Sequence, residues 1–254
     1  MSEVARPTDV VGKALSLLTR LGEFPDGVAA SELARQVGLP LSTAHRLLGM
    51  LVREGYARFD PASRCYTLGL RVFQLAQGIA HAYGFTAVVR RELEQVSLTT
   101  REATLLAVLD REKLLYVYSI EGPQQVRVVG DPGRHGPLHC TSLGKVLIAF
   151  APAPVREHLT HTVPMEVCGP NAITDREQFI AEIAQVRARG YAVADEEHEP
   201  GIRAVSVPVF GTRDGVAALS TAAPAYRMSV AQLEALVPRL NEAARSLAAL
   251  MPLG

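Results

Sequence analysis

Apolar residues in the first third of the chain recur at helical spacing, and after Arg101 they gather into runs typical of strands. Val11, Leu15, Leu18 and Leu21 predict a helix on one apolar side, with Thr8 or Asp9 as its N-cap. Ser31 is expected to cap a short helix through Leu33, Ala34 and Val37, which Gly38 stops in the αL conformation. In the third segment, at about 100° per residue, Ala44, Leu47, Leu48, Leu51 and Val52 form one apolar arc. Ser42, Arg46, Gly49 and Arg53 lie opposite, flanked by Thr43, His45 and Met50. Gly55 ends this helix, and residues 56–59 and 64–68 read as two strands around the turn Asp60-Pro61-Ala62-Ser63.

Helix, turn, helix and hairpin in this order predict a winged helix-turn-helix over residues 1–69, whose third helix enters the major groove of double-stranded operator DNA. The candidate contacts are Ser31, Ser42, Thr43, His45, Arg46, Arg53, Arg58 and Arg64. Arg46, with Ser42 and Thr43, is suited to base edges, and the wing arginines Arg58 and Arg64 to phosphates. A solvated helix face is the plain alternative. The agreement of element order, polar face and basic bias argues against it.

Residues 70–83 predict a connector helix with Leu70 or Phe73, Leu75 or Ala76, and Ile79 as its apolar stripe, ending near Gly84. A second helix is expected from about Thr86 to Leu98. Strands follow at 103–109, 114–120 and 126–129, and a hairpin joins 204–210 to 216–222 through the loop 211–215. Helices are expected from Thr141 or Ser142, from the capping box Thr174-x-x-Glu177, and from Ser229-x-x-Gln232 into an Ala- and Leu-rich run. Residues 84–254 therefore read as an α+β domain, an antiparallel sheet with packed helices.

Charge refines this picture. Lys plus Arg and Asp plus Glu both number 26 in 254 residues, so no global positive field draws the chain to nucleic acid. Between Leu41 and Tyr66, however, Arg46, Arg53, Arg58 and Arg64 face two acids, Glu54 and Asp60. A module with so few basic groups needs a second copy for firm binding, so self-association as a dimer or higher assembly is expected. No run reaches the ~18 apolar residues of a membrane span, and the N-terminus lacks the order of a signal peptide. The cytoplasm is the expected location, without a membrane partner.

Three stretches together are similar to the IclR family of bacterial transcription regulators. They are Leu39-Pro40-Leu41-Ser42-Thr43-Ala44-His45-Arg46-Leu47-Leu48, then Leu138-His139-Cys140-Thr141-Ser142-Leu143-Gly144-Lys145-Val146-Leu147, and Arg189-Gly190-Tyr191-Ala192-Val193-Ala194-Asp195-Glu196-Glu197 followed by Gly201. The resemblance implies a GAF-like effector domain, dimers that pair into tetramers, and control of catabolic operons by a small acidic metabolite, with no cofactor. It assigns the effector site to Leu138, Thr141, Ser142, Leu143, Gly144, Ala194, Asp195, Ala204, Ser206 and Ser220.

A loop of small and hydroxyl residues opening a helix independently suits a carboxylate, because it offers unpaired N–H groups and the positive dipole end. The plain alternative is a capped helix with Gly144 needed for close packing. Relatives that bind very small oxoacids carry an acid and a thiol where this chain has Ala194 and Ala204. The resemblance therefore implies a roomier, more apolar pocket and a larger acid, aromatic or longer than a three-carbon oxoacid.

A second class, a small-molecule-binding or hydrolytic enzyme with an accessory winged helix, rests on His139 beside Cys140. Neighbours in a strand point to opposite faces, so this pair is not expected to act as base and nucleophile, and no catalytic residue is assigned. Cys65, Cys140 and Cys168 show no CxxC spacing, and His135, His139, His158, His161 and His198 form no metal motif with them. No metal site is expected. The acidic run Asp195-Glu196-Glu197 reads as a solvated loop, with Asp195 at the pocket border.

Overall fold

The computed structural model describes residues 9–85, 87–211 and 215–251. Thr8 as an N-cap, Thr86 as a helix start and residues 212–214 of the predicted hairpin loop lie outside the described residues. The chain divides into two compact units, Met1–Ala80 and His81–Gly254.

In the first unit, α1 (Val10–Leu21) starts at Asp9, whose carboxylate accepts from the Gly12 N–H at 2.7 Å. Its core face is rotated from the predicted one and keeps Leu21. Leu17 and Leu21 are buried, with Ala14 against them, whereas Val11 and Leu15 are 68% and 55% exposed. The apolar positions form one broad arc, of which packing buries the side with Leu17 and Leu21 and leaves the side with Val11 and Leu15 open.

A short strand β1 (Val28–Ala29) leads into α2 (Ala30–Val37). Ala29 is the N-cap, without a side-chain bond, so Ser31 is no cap and lies exposed in the first turn. Gly38 closes α2 at φ +68°, a conformation that costs a residue with Cβ. Then α3 (Leu41–Arg53) buries Ala44, Leu47 and Leu48, while β2 (Ala57–Asp60) and β3 (Cys65–Leu68) form the wing. The sheet order β1-β3-β2 adds a third, unpredicted strand. The connector α4 (Leu70–Ala82) has no buried residue.

The second unit contains α5 (Ala87–Thr100), β4 (Ala103–Asp110), β5 (Lys113–Ile120), β6 (His135–Gly136), α6 (Ser142–Phe150), α7 (Ala153–Thr162), α8 (Arg176–Arg189), β7 (Ala192–Asp195), β8 (Ile202–Phe210), β9 (Val216–Pro224), α9 (Val230–Glu234) and α10 (Val237–Ala248). Its strands form one antiparallel sheet ordered β6-β5-β4-β9-β8-β7. Both faces are covered, which explains why the strands read as apolar runs rather than alternations. Leu105, Ala107 and Ala218 face a core with α6, α7 and α8, while Leu106, Val207 and Leu219 face another with α5 and α10.

Three local expectations fail here. Residues 126–129 are not a strand, because His135 and Gly136 take the place beside β5, and Val126 and Val129 are 60% and 58% exposed. Asp175, not Thr174, caps α8, since its carboxylate reaches the Gln178 N–H at 2.8 Å. The Ser229-Gln232 capping box is present, yet the run behind it breaks into α9 and α10, with Pro238 in the first turn of α10.

Candidate functional site

Two sites emerge, one in each unit. On α3 the residues opposite the buried arc, Ser42, His45, Arg46, Gly49 and Met50, are exposed, with Thr43 half-buried beside them. Arg53 is also exposed but pairs with Glu54 at 3.2 Å. In the wing, Arg58 lies exposed on β2 and Arg64 precedes β3 at φ +56°. Asp60 shapes the turn by accepting from the Ala62 N–H at 3.0 Å and the Ser63 hydroxyl at 2.6 Å; the Ser63 hydroxyl, above all, holds its carboxyl below the usual range. Ser31 lies exposed in the first turn of α2.

In the second unit a cavity of about 310 Å³ opens between the sheet and the start of α6. Of the predicted residues, Thr141, Ser142, Leu143, Ala194, Ala204 and Ser220 line it. Leu138, Gly144, Asp195 and Ser206 do not. Leu138 is core, and a Cβ on Gly144 would stand 2.2 Å from its carbonyl oxygen, so Gly144 permits close packing. Asp195 is drawn away by Arg203, at 2.5 Å. Ser206 stands behind the wall, where its hydroxyl meets that of Ser142 at 2.7 Å.

The cap at the start of α6 decides which donors it offers. Thr141 caps the helix, its hydroxyl accepting from the Gly144 N–H at 3.0 Å. The Ser142 and Leu143 N–H groups, in the first turn, are the donors that precede the intrahelical ladder.

Tyr116, Arg134, Cys140 and His198 are lining residues that sequence reasoning missed. Tyr116 is carried in by β5, and burial pushes its phenol up to about 12, so it is a neutral donor at pH 7. Nothing in the strand pattern distinguished it from a core residue. Lys145, within a quoted motif but given no role, is fully buried; its Nζ meets Glu197 at 2.6 Å, the Val193 carbonyl at 2.9 Å and Glu182 at 3.3 Å. This ties α6 to α8, β7 and the loop after β7. Burial pushes the Glu197 carboxyl up, against the pull of Lys145.

His139 and Cys140 do not lie in a strand. They occupy a bend before α6, and their side chains meet elements distant in sequence. His139 Nε2 is 2.8 Å from the Glu166 carbonyl oxygen and 3.8 Å from Cys168 Sγ, while Cys140 Sγ is 3.7 Å from His198 Nδ1.

A winged helix with an outward basic face, combined with a unit that encloses a cavity, defines a DNA-binding transcriptional regulator with a small-molecule domain. Residues 10–61 match the IclR helix-turn-helix domain and residues 77–249 the C-terminal domain of the bacterial transcriptional regulator IclR, and the chain belongs to this family. It is 31% identical over 211 residues to the HTH-type transcriptional regulator XynR of Escherichia coli K12, covering 83% of this chain and 84% of that one. The KdgR regulator of Dickeya chrysanthemi is 30% identical over 214 residues, covering 84% of this chain and 70% of the relative.

Among solved structures, an IclR homologue from Microbacterium hydrocarbonoxydans complexed with 4-hydroxybenzoate superposes with a TM-score of 0.82 at 27% identity, over 94% of this chain and 98% of that chain. An IclR regulator from Alicyclobacillus acidocaldarius gives 0.80 at 28%, over 95% and 98%. These relatives are regulators, so the reading as an enzyme with an accessory winged helix is set aside. Among the described residues no helix is long and apolar enough to cross a membrane.

Proposed function

We propose that this regulator reads its operator through α3 and the wing, and that a carboxylic acid larger than a three-carbon oxoacid, held in the cavity, sets its operator affinity. The observation that carries the effector class is the cavity wall: Ala194 and Ala204 face a space of about 310 Å³, with Leu105, Tyr116 and Leu143 among its other lining residues. That volume is at the lower end of small-molecule sites, ~300–1,000 Å³, and a three-carbon acid would fill little of it. The carboxylate goes to the Ser142 and Leu143 N–H groups at the start of α6, and Arg134 lines the same cavity. The homologue from M. hydrocarbonoxydans carries an aromatic monoacid, 4-hydroxybenzoate, which supports the same class here.

Self-association completes the reading. Val11 and Leu15 on α1, and Leu70, Phe73, Leu75 and Ile79 on α4, are each more than half exposed, apolar surface suited to a second copy. Two winged helices then meet two half-sites, and the acid changes DNA affinity by a coupling of ~1–3 kcal/mol.

The test is calorimetric titration of the full chain with 4-hydroxybenzoate and benzoate against pyruvate and glyoxylate, followed by gel shifts on DNA upstream of its own gene. Aromatic acids should bind and alter the shift. Release from DNA by pyruvate or glyoxylate, with no response to the aromatic acids, would overturn the effector class.

A further inference from the structure

Beside the cavity, three segments bring two thiols and two imidazoles together. His139 and Cys140 come from the bend before α6, Cys168 from the loop between α7 and α8, and His198 from the loop between β7 and β8. The ligand atoms of His139, Cys140 and Cys168 all lie within 4.8 Å of one another, the one such group of His, Cys and acidic side chains among the described residues. Cys140 Sγ then reaches His198 Nδ1 at 3.7 Å. We propose that His139, Cys140, Cys168 and His198 form a four-coordinate site for a thiophilic divalent cation of the zinc type, set in the wall of the effector cavity.

Two measured edges come close to those of a tetrahedral site. With metal–sulfur bonds of about 2.3 Å and metal–nitrogen bonds of about 2.0–2.1 Å, a tetrahedral site has a sulfur–nitrogen edge of about 3.6 Å. The two such edges measured are 3.7 Å, Cys140 to His198, and 3.8 Å, Cys168 to His139. Closure needs a few tenths of an ångström along these edges and a larger swing of His198, which touches Cys140 but lies outside the 4.8 Å group. A set of two sulfurs and two imidazole nitrogens selects zinc-like ions over magnesium or calcium, which prefer oxygen.

The segments are also held together before any ion arrives. The Gly169 N–H donates to the Glu197 carbonyl at 2.8 Å, and the Asn171 side chain donates to the Asp195 carbonyl at 2.9 Å. A Cβ on Gly169 would stand 2.2 Å from the Glu196 carbonyl oxygen, so the loop bearing Cys168 lies directly on the loop leading to His198. Two loops with no sheet pairing between them are thus fixed at the spacing a metal would bridge.

Charge and protons balance. Each thiol loses its proton to solvent, and the two thiolates neutralise the dication. His139 stays neutral by moving its proton from Nε2 to Nδ1, exchanging the 2.8 Å contact with the Glu166 carbonyl for the metal. Cys140 and His198 also line the cavity, so the ion would stiffen that wall.

The test uses full-length protein purified under reductant, stripped with chelator, and titrated with Co²⁺ as a spectroscopic probe and Zn²⁺ as its competitor. One equivalent of Co²⁺ per chain should produce a thiolate-to-cobalt charge-transfer band with intense tetrahedral d–d bands, and Zn²⁺ should abolish both. Loss of a supporting residue costs ~10–100-fold in metal affinity, so Cys168→Ser, and independently His198→Leu, should weaken binding by more than about 100-fold. Cys65→Ser, in the wing, should leave it unchanged.

Circular dichroism checks folding of each variant, and if one fails to fold the other decides. Absence of the charge-transfer band, or undiminished binding in a folded Cys168→Ser or His198→Leu variant, overturns the site. So does a Cys140–Cys168 disulfide re-forming under the reductant, found by peptide mass. Acid binding is measured separately, so loss of the metal site does not touch the proposed effector class.

Discussion

Replacing Lys145 by Met keeps the buried stem and removes the charge. Lys145 is 1% exposed, and its side chain holds Glu197 and Glu182, themselves 9% and 17% exposed. Glu182 retains Arg189 at 3.0 Å after the change. Glu197 has no other ion pair among the described residues, and its Oε2 is already buried without a hydrogen-bond partner. The carboxyl can escape burial as an anion by taking a proton. From an ordinary value of 4.5, that costs at most about 3.4 kcal/mol at pH 7, at ~1.36 kcal/mol per unit. Losing the donor to the Val193 carbonyl adds about 1 kcal/mol. A loss of about 3–4 kcal/mol results, in line with ~3–5 kcal/mol for breaking a buried pair from one side.

The pH dependence distinguishes this cause from lost packing. Glu197 has a raised folded pKa, so the protonated form favours folding; that contribution is complete below the unfolded value and disappears as pH rises through the folded one. Lys145→Met raises the folded value further. Its deficit should therefore shrink between pH 7 and pH 5, by at most about 2.7 kcal/mol, which is two units at ~1.36 kcal/mol each. The chain has no Trp, so urea unfolding is followed by far-UV circular dichroism at both pH values. Adding Glu197→Gln should recover most of the loss. A deficit under 1 kcal/mol at pH 7, or one undiminished at pH 5, would refute the reasoning.

Arg46→Ala should cost about 1–3 kcal/mol of operator binding and relax sequence preference, whereas Arg58→Ala should weaken all DNA alike and lower the salt slope by about one, both read by gel-shift titration. Phe73→Glu, on the exposed apolar surface of α4, should shift the chain towards monomer in analytical ultracentrifugation and weaken two-half-site DNA more than one half-site. Ala204→Phe should fill the cavity and abolish calorimetric binding of 4-hydroxybenzoate while leaving DNA binding in the absence of ligand intact.

Local patterns determined most of the winged helix. The arc on α3, the αL glycine after α2, the wing turn and the capped start of α6 all depend on residues within a few positions of one another. So did the long hairpins β4–β5 and β8–β9, where neighbouring segments pair across short connections. Which side of the broad apolar arc on α1 faces the core, and which short segment borders β5, depended on what space the neighbours left.

The cavity divides in the same way. Thr141, Ser142 and Leu143 were legible because they open one helix, but Tyr116, Arg134 and His198 reach it from separate elements. Lys145 and the thiol–imidazole cluster show the limit most clearly. Lys145 and Glu197 are 52 residues apart and Cys140 and His198 are 58 apart, so no spacing rule connects them. Periodicity reports which face of an element is buried, whereas the identity of the groups that meet across the core is decided when helices and loops close over the sheet.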